Sequence, residues 1–262
     1  MSWSWDETLY AGSAAYYGRG RMPYPPELAA AIRDELGLDG TGRLLDVGCG
    51  PGSLTKLLAP CFAYAIGVDA DGDMIAEAAR QSAATIEWRR LRAEELPAGL
   101  GTFRVVTFAQ SFHWMDQQLV AGTVRRMIEP GGAWVHVGAN THQGVDSGFW
   151  PVIGELVTGY LGPARRAGQG TLGSPRAGEE DVMRAAGFDG PTRLVIGRGD
   201  VVERSLDEIV AAVFSLSSSA PHLFGDRLAA FEHDLRAALL AWSPRGVFPE
   251  RRGEIEVVIW SP

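Results

Sequence analysis

Three glycines at alternate positions, Gly48, Gly50 and Gly52, close the run Arg43-Leu44-Leu45-Asp46-Val47-Gly48-Cys49-Gly50-Pro51-Gly52, and Ser53-Leu54-Thr55-Lys56-Leu57-Leu58 follows as an opening helix. Glycine lets a backbone turn sharply and approach a bound molecule, because a Cβ would collide with it or forbid the required φ. The chemistry predicted here is ligand cradling at the carboxyl end of a strand. Asp46, two residues before the first glycine, is predicted to project into the same space. Asp69 stands about 20 residues beyond Gly48, at the tip of the next apolar run, where a carboxylate can accept both hydroxyl protons of a ribose. Helix capping is the other role open to Asp69, since Asp71 and Asp73 also precede the next helix. His113, just after the most apolar strand, is the group there that can exchange a proton near neutral pH; packing is its alternative role.

Two kinds of cradle share this outline. A dinucleotide loop spaces its glycines G-x-G-x-x-G so that a pyrophosphate sits on the helix N-terminus. Here the spacing is G-x-G-x-G, and Pro51 removes an N–H that a phosphate would use. The motif D-V-G-C-G-P-G resembles motif I of the class I S-adenosylmethionine-dependent methyltransferases. That resemblance implies that Asp46, Gly48, Gly50 and Gly52 hold the amino-acid end of the cofactor, that Asp69 holds its ribose, and that Met74 lies near its adenine. Met74 could equally be core. Tyr16-Tyr17-Gly18-Arg19-Gly20-Arg21-Met22-Pro23-Tyr24-Pro25 is similar to a segment of small-molecule methyltransferases, type 11 or trans-aconitate-like, in which Tyr17 and Arg21 would approach the cofactor carboxylate. Arg92-Ala93-Glu94-Glu95-Leu96-Pro97 resembles the family's D-A-E-x-L-P adenine-edge motif. Arg92 stands where Asp is common, which leaves Ala93 and Glu94 as the implied contacts. Gln110 completes the implied cofactor set, with His113 as a catalytic base or substrate contact and Trp114 and Trp150 as substrate contacts.

These residues need elements to carry them. Apolar spacing predicts a helix from Glu27 to Leu36, strands at 43–47, 63–69, 86–91, 103–109 and 133–137, and helices at 53–58, 74–83 and 119–128. Pro130-Gly131-Gly132 reads as a turn. From Asn140 to about Gly178 the pattern dissolves around one apolar stretch, Trp150 to Leu161, too long for a plain connection. Phe149, Trp150 and Tyr160 are its candidate pocket walls, and Arg165 and Arg166 either meet an acidic acceptor or are solvated. A helix over 179–186 precedes a strand at 192–197. Ser205 and Glu208 form a capping box for a further helix, and an amphipathic helix covers 226–241. Glu254 to Trp260 is a last strand. The alternation predicts an α/β fold. The resemblance specifies it as a Rossmann-like, doubly wound, seven-stranded sheet with the last strand antiparallel, strands six and seven forming a hairpin at one edge. Its implied divisions are an N-terminal lid over 1–27, a cofactor-binding core over 43–137, and α-helical cap insertions over 140–178 and 205–245.

Hydrophobic content of 46% and charged content of 21% are those of an ordinary globular chain. The net charge of −8 argues against a nucleic-acid partner, which clustered Lys and Arg would serve. Two cysteines, Cys49 and Cys61, are too few for a disulfide framework and form no metal-ligating pair. No stretch reaches membrane-spanning length, and a cytoplasmic protein, monomer or homodimer, is expected. Lys56 is the only lysine among 24 basic residues, a bias that points to a GC-rich bacterial genome. The resemblance implies methyl transfer from S-adenosylmethionine to a small-molecule acceptor, such as a natural product, by in-line displacement with release of S-adenosylhomocysteine. O-methylation or carboxyl methylation fits best. A homologue that binds the cofactor without transfer, and an NAD-dependent oxidoreductase disfavoured by the glycine spacing, are the competing readings.

Overall fold

The computed structural model describes residues 8–80, 85–139, 148–164, 166–167, 170–171, 178–197 and 199–262. Trp3, Trp5, Arg165 and the stretches 140–147, 168–169 and 172–177 of the expected insertion lie outside the described residues. Two helices lead the chain, α1 (Ala14–Gly20) and α2 (Pro26–Leu36). Strands β1 (Arg43–Val47), β2 (Tyr64–Asp69), β3 (Ile86–Arg90), β4 (Phe103–Ala109) and β5 (Ile128–Ala139) then interleave with α3 (Ser53–Leu58), α4 (Gly72–Arg80) and α5 (Gln117–Met127). After them come α6 (Trp150–Leu161), the two-residue strands β6 (Arg166–Ala167) and β7 (Gly170–Thr171), α7 (Glu179–Ala185) and β8 (Asp189–Ile196). The chain ends through β9 (Val201–Ser205), α8 (Leu206–Phe214), α9 (Leu228–Trp242), β10 (Val247–Arg251) and β11 (Ile255–Ser261).

The main sheet has seven strands in the order β3-β2-β1-β4-β5-β11-β8. β1 to β5 pair in parallel, and β11 is antiparallel to both β5 and β8. Alternating side chains serve the two faces of the sheet. Leu44 packs with Leu28, Ile32, Leu54 and Leu58 of α2 and α3, whereas Leu45 and Val47 pack with Val120, Val124 and Met127 of α5 and Met183 of α7. Because β2 lies on one side of β1 and β4 on the other, the strand order reverses at β1, and a crevice opens beyond their carboxyl ends.

Three expectations need correction. β8 and β11 are neighbours, yet no hairpin turn joins them, since β9, α8, α9 and β10 intervene. β9 and β10 pair antiparallel as a two-stranded stem that carries α8 and α9. The expected turn at Pro130-Gly131-Gly132 is absorbed as a bulge in β5, where pairing jumps from Phe103↔Ile128 to Val105↔Ala133. Gly132 packs so tightly there that a Cβ would stand 2.6 Å from the Arg104 carbonyl oxygen. Finally, the apolar stretch 150–161 is a complete helix, and it belongs to a separate core. Phe149, Ile153 and Val157 meet Ile209, Val213 and Phe214 of α8, Phe231, Leu235 and Leu239 of α9, and Phe248 of β10. No helix among the described residues is long and apolar enough to cross a membrane.

Candidate functional site

A cleft of roughly 650 Å³ opens beyond the carboxyl ends of β1, β2 and β4. Gly48 and Gly50 form its floor, Asp69 and Ala70 one wall, and Met74, Leu91 and Ala93 an apolar pocket beside that wall. Gln110, Ser111, Trp114 and Met115, just past β4, form the opposite wall, and Tyr10 and Tyr17 cover it. A second lobe of about 430 Å³ shares Tyr17, Gly48, Gly50 and Gln110 and adds Arg21, Tyr24 and Ser53.

The glycine loop is shaped by close approaches. At Gly52, φ is +80° and a Cβ would stand 2.2 Å from the Trp88 indole, so the backbone passes directly against that ring. Gly50 differs: at φ +54° the only atom of the described residues near its Cβ position is the Tyr17 ring edge, 4.0 Å away. Gly52 therefore serves packing, while Gly50 keeps the cleft floor open.

Asp69 anchors the wall. Its Oδ2 accepts the Gly50 N–H at 2.8 Å and its Oδ1 accepts the Asp71 N–H at 2.9 Å. Each oxygen retains acceptor capacity toward the cleft. Burial pushes this carboxyl up to about 6, against the lowering effect of those two N–H groups. Glu94 lines the same end, and its Oε1 accepts the Asp116 N–H at 2.9 Å, tying the turn after β3 to the loop after β4. Gln110 has a positive φ of 54°, a strained conformation for a residue with a side chain. Its amide Nε2 donates to the Ala139 carbonyl at 2.5 Å. The Ser111 hydroxyl donates to the Val47 carbonyl at 2.6 Å, so β1 and the loop beyond β4 are joined under the cleft. Overhead, Tyr10 meets Tyr17 and Trp114 edge to face, at 6.5 and 5.8 Å between ring centroids.

Of the residues expected from sequence, Tyr17, Gly48, Gly50, Asp69, Met74, Ala93, Glu94, Gln110 and Trp114 converge on the larger lobe, and Arg21 lines the smaller one. Six of the described ones do not converge. Asp46 is fully buried beneath the loop, accepting the hydroxyls of Thr55 at 2.5 Å and Thr107 at 2.8 Å, where it joins α3 to β1 and β4. Gly52 faces Trp88. His113 is absent from the lining of either lobe and its ring lies against Trp114, 5.0 Å between centroids. Trp150 belongs to the second core, its indole N–H donating to Glu250 at 2.5 Å; Phe149 is buried there and Tyr160 bonds Asp234. Tyr10, Ser111, Met115 and Arg92 also line the cleft, the first as part of the aromatic N-terminal segment and the next two within the run 110–116 that the position beyond β4 directs toward the crevice; Arg92 is the one that the motif comparison sets aside. The aromatic density of its segment is the only local signal for Tyr10. Ser111 and Met115 lie inside the run beyond β4 and carry no motif of their own.

Residues 44–132 match a family model described as a methyltransferase domain. A ubiquinone biosynthesis O-methyltransferase of Methylococcus capsulatus is 37% identical over 95 residues, 34% of this chain and 40% of that protein. The chain spans about two-fifths to a half of the length of the curated relatives it matches. Among solved structures, a candidate type II methyltransferase of Anaeromyxobacter dehalogenans superposes with a TM-score of 0.55 at 23% identity, over 91% of this chain and 95% of that one. The [4+2]-cyclase SpnF superposes at 0.51 with 16% identity, over 97% and 92%. Similarity at these identities speaks to the fold, which hosts more than one reaction.

Proposed function

We propose that the chain is a class I S-adenosylmethionine-dependent methyltransferase that transfers a methyl group from S-adenosylmethionine to a small-molecule acceptor, at a hydroxyl or carboxyl oxygen; the methyltransferase-domain match over residues 44–132 and the shared fold support this. The observation that carries this reading is the order of groups along one cleft. The Asp69 carboxylate suits ribose hydroxyls, the apolar pocket of Met74, Leu91 and Ala93 suits a purine, and Arg21 with Tyr17 suits an amino-acid carboxylate. Gly50, where a side chain would project into this space, fits the same molecule. Oxygen as the nucleophile is supported by the O-methyltransferase relative.

When bound, S-adenosylmethionine supplies an electrophilic methyl group on a sulfonium. The protein's own contribution is position. Asp69, Met74 and Glu94 hold one end of the cleft, and the Gly48–Gly50 backbone with Tyr17 and Arg21 holds the other. Residues 8–27 act as a lid, with Tyr10 and Trp114 closing over the middle and excluding water. Fixing two reactants in attack geometry can account for ~7–11 kcal/mol of a barrier, so a base is not required of the cleft. Calorimetric titration with S-adenosylmethionine, S-adenosylhomocysteine and NAD tests the reading. Micromolar binding of the first two, ~−8 kcal/mol, with none of NAD is expected. Binding of NAD alone would return the protein to the oxidoreductases.

A further inference from the structure

The cleft's cover is attached to the inserted cap by several contacts, and one of them comes from a buried arginine. Side-chain contacts along the whole α1 segment tie it to the cap. The Ser13 hydroxyl donates to the Phe214 carbonyl at 2.8 Å, Arg19 pairs with Asp207, Arg21 Nη2 donates to the Ser215 carbonyl at 2.7 Å, and His222 Nδ1 meets the Ala11 carbonyl at 3.1 Å. At its C-terminal end α1 lies against α8 with no spare room: a Cβ on Gly20 would stand 2.4 Å from the Ala211 carbonyl. Arg204, on the stem strand β9, is buried at 4% exposure. Its Nη2 donates to the Gly20 carbonyl at 2.7 Å and to the Glu208 carbonyl at 3.0 Å, and its Nη1 donates to Glu250 of β10 at 2.9 Å. Glu250 is fully buried and also accepts the Trp150 indole N–H.

The planar guanidinium fork is thus spent on three partners from three elements, and one of them is the last carbonyl of α1. The next residue, Arg21, stacks its guanidinium on the Tyr17 ring at 4.6 Å, and both line the smaller lobe of the cleft. We propose that Arg204 is a positioning residue for cofactor binding, fixing α1 from the cap's stem so that Tyr17 and Arg21 stand over the amino-acid end of the cleft. The inference rests on reading that cleft as the S-adenosylmethionine site. Its consequence is that cap and cover behave as one piece, with the cofactor gripped by the cap as well as by the sheet.

Calorimetry on wild type, Arg204→Lys and Gly20→Ala, each with S-adenosylhomocysteine and with adenosine, tests this. Arg204→Lys keeps the charge opposite Glu250 but loses the fork; Gly20→Ala leaves the ion pair intact and wedges α1 from α8. Both variants should bind S-adenosylhomocysteine more weakly by about tenfold or more, the worth of a charge-assisted hydrogen bond, while binding adenosine as wild type does, since adenosine occupies only the Asp69 end. General damage would weaken both ligands alike. Equal loss for the two ligands in a variant with native near-ultraviolet dichroism, or unchanged S-adenosylhomocysteine affinity in either variant, overturns the proposal. If wild type binds neither ligand, the reading of the cleft falls, and this inference with it.

Discussion

Burial resists the ionisation of Asp69 in the cleft, and cofactor binding should therefore depend on pH. Its carboxyl is raised to about 6 by burial. Ribose hydroxyls would donate to the ionised form, so affinity for S-adenosylhomocysteine should be full above about pH 7 and fall as pH drops through about 6, approaching tenfold per unit. Titrations between about pH 7.5 and 5 should show this slope in wild type, and Asp69→Asn should be weaker and flat. A wild-type affinity constant across that range would remove Asp69 from the ribose. The adjacent pair His113 and Trp114 gives a second prediction, because the structure separates residues that sequence treats together. Trp114 lines the cleft and His113 does not. Trp114→Ala should weaken S-adenosylhomocysteine binding by about tenfold, the order lost when a well-packed aromatic contact is truncated. His113→Ala should leave it within about twofold. Equal effects would contradict the placement. Asp46 shows the same lesson in reverse: its motif position pointed at the ligand, yet two threonine hydroxyls claim both of its oxygens.

At the scale of elements, α8 has the most legible boundary in the cap. Ser205 accepts the Glu208 N–H, and the Glu208 carboxylate reaches back to the Ser205 N–H at 2.7 Å, the reciprocal arrangement expected from their three-residue spacing. Ser205→Ala should lower stability by about 1 kcal/mol, read as a shifted urea midpoint at constant slope. An unchanged midpoint would mean that tertiary packing alone holds the helix end. The bulge in β5 and the stem of β9 and β10 were harder to see. A Pro-Gly-Gly run is turn-like wherever it occurs, and only its pairing with β4 shows that the strand continues through it. The stem strands are short, and nothing local to either names its partner.

For the whole molecule, the decisive fact is the second core. Phe231 is fully buried among Phe224, Phe214 and Tyr160, remote in sequence from the sheet's own apolar faces. Phe231→Ala should cost ~3–5 kcal/mol of local packing. Amide exchange should then speed up in α6, α8 and α9, and in α1 with them, while β1 and β4 keep their protection. Uniform acceleration would show one cooperative unit instead. The sequence by itself determined the alternation of strands and helices, the glycine loop and Asp69, because these depend on short-range periodicity, backbone conformation and spacing along one β-α-β unit. Only the tertiary structure decided that Asp46 and Trp150 turn away from the cleft, that Tyr10 and Arg92 enter it, and that Arg204 reaches back across the chain to the Gly20 carbonyl. Those outcomes depend on which distant groups satisfy each buried polar atom, and separation along the chain carries no record of that competition.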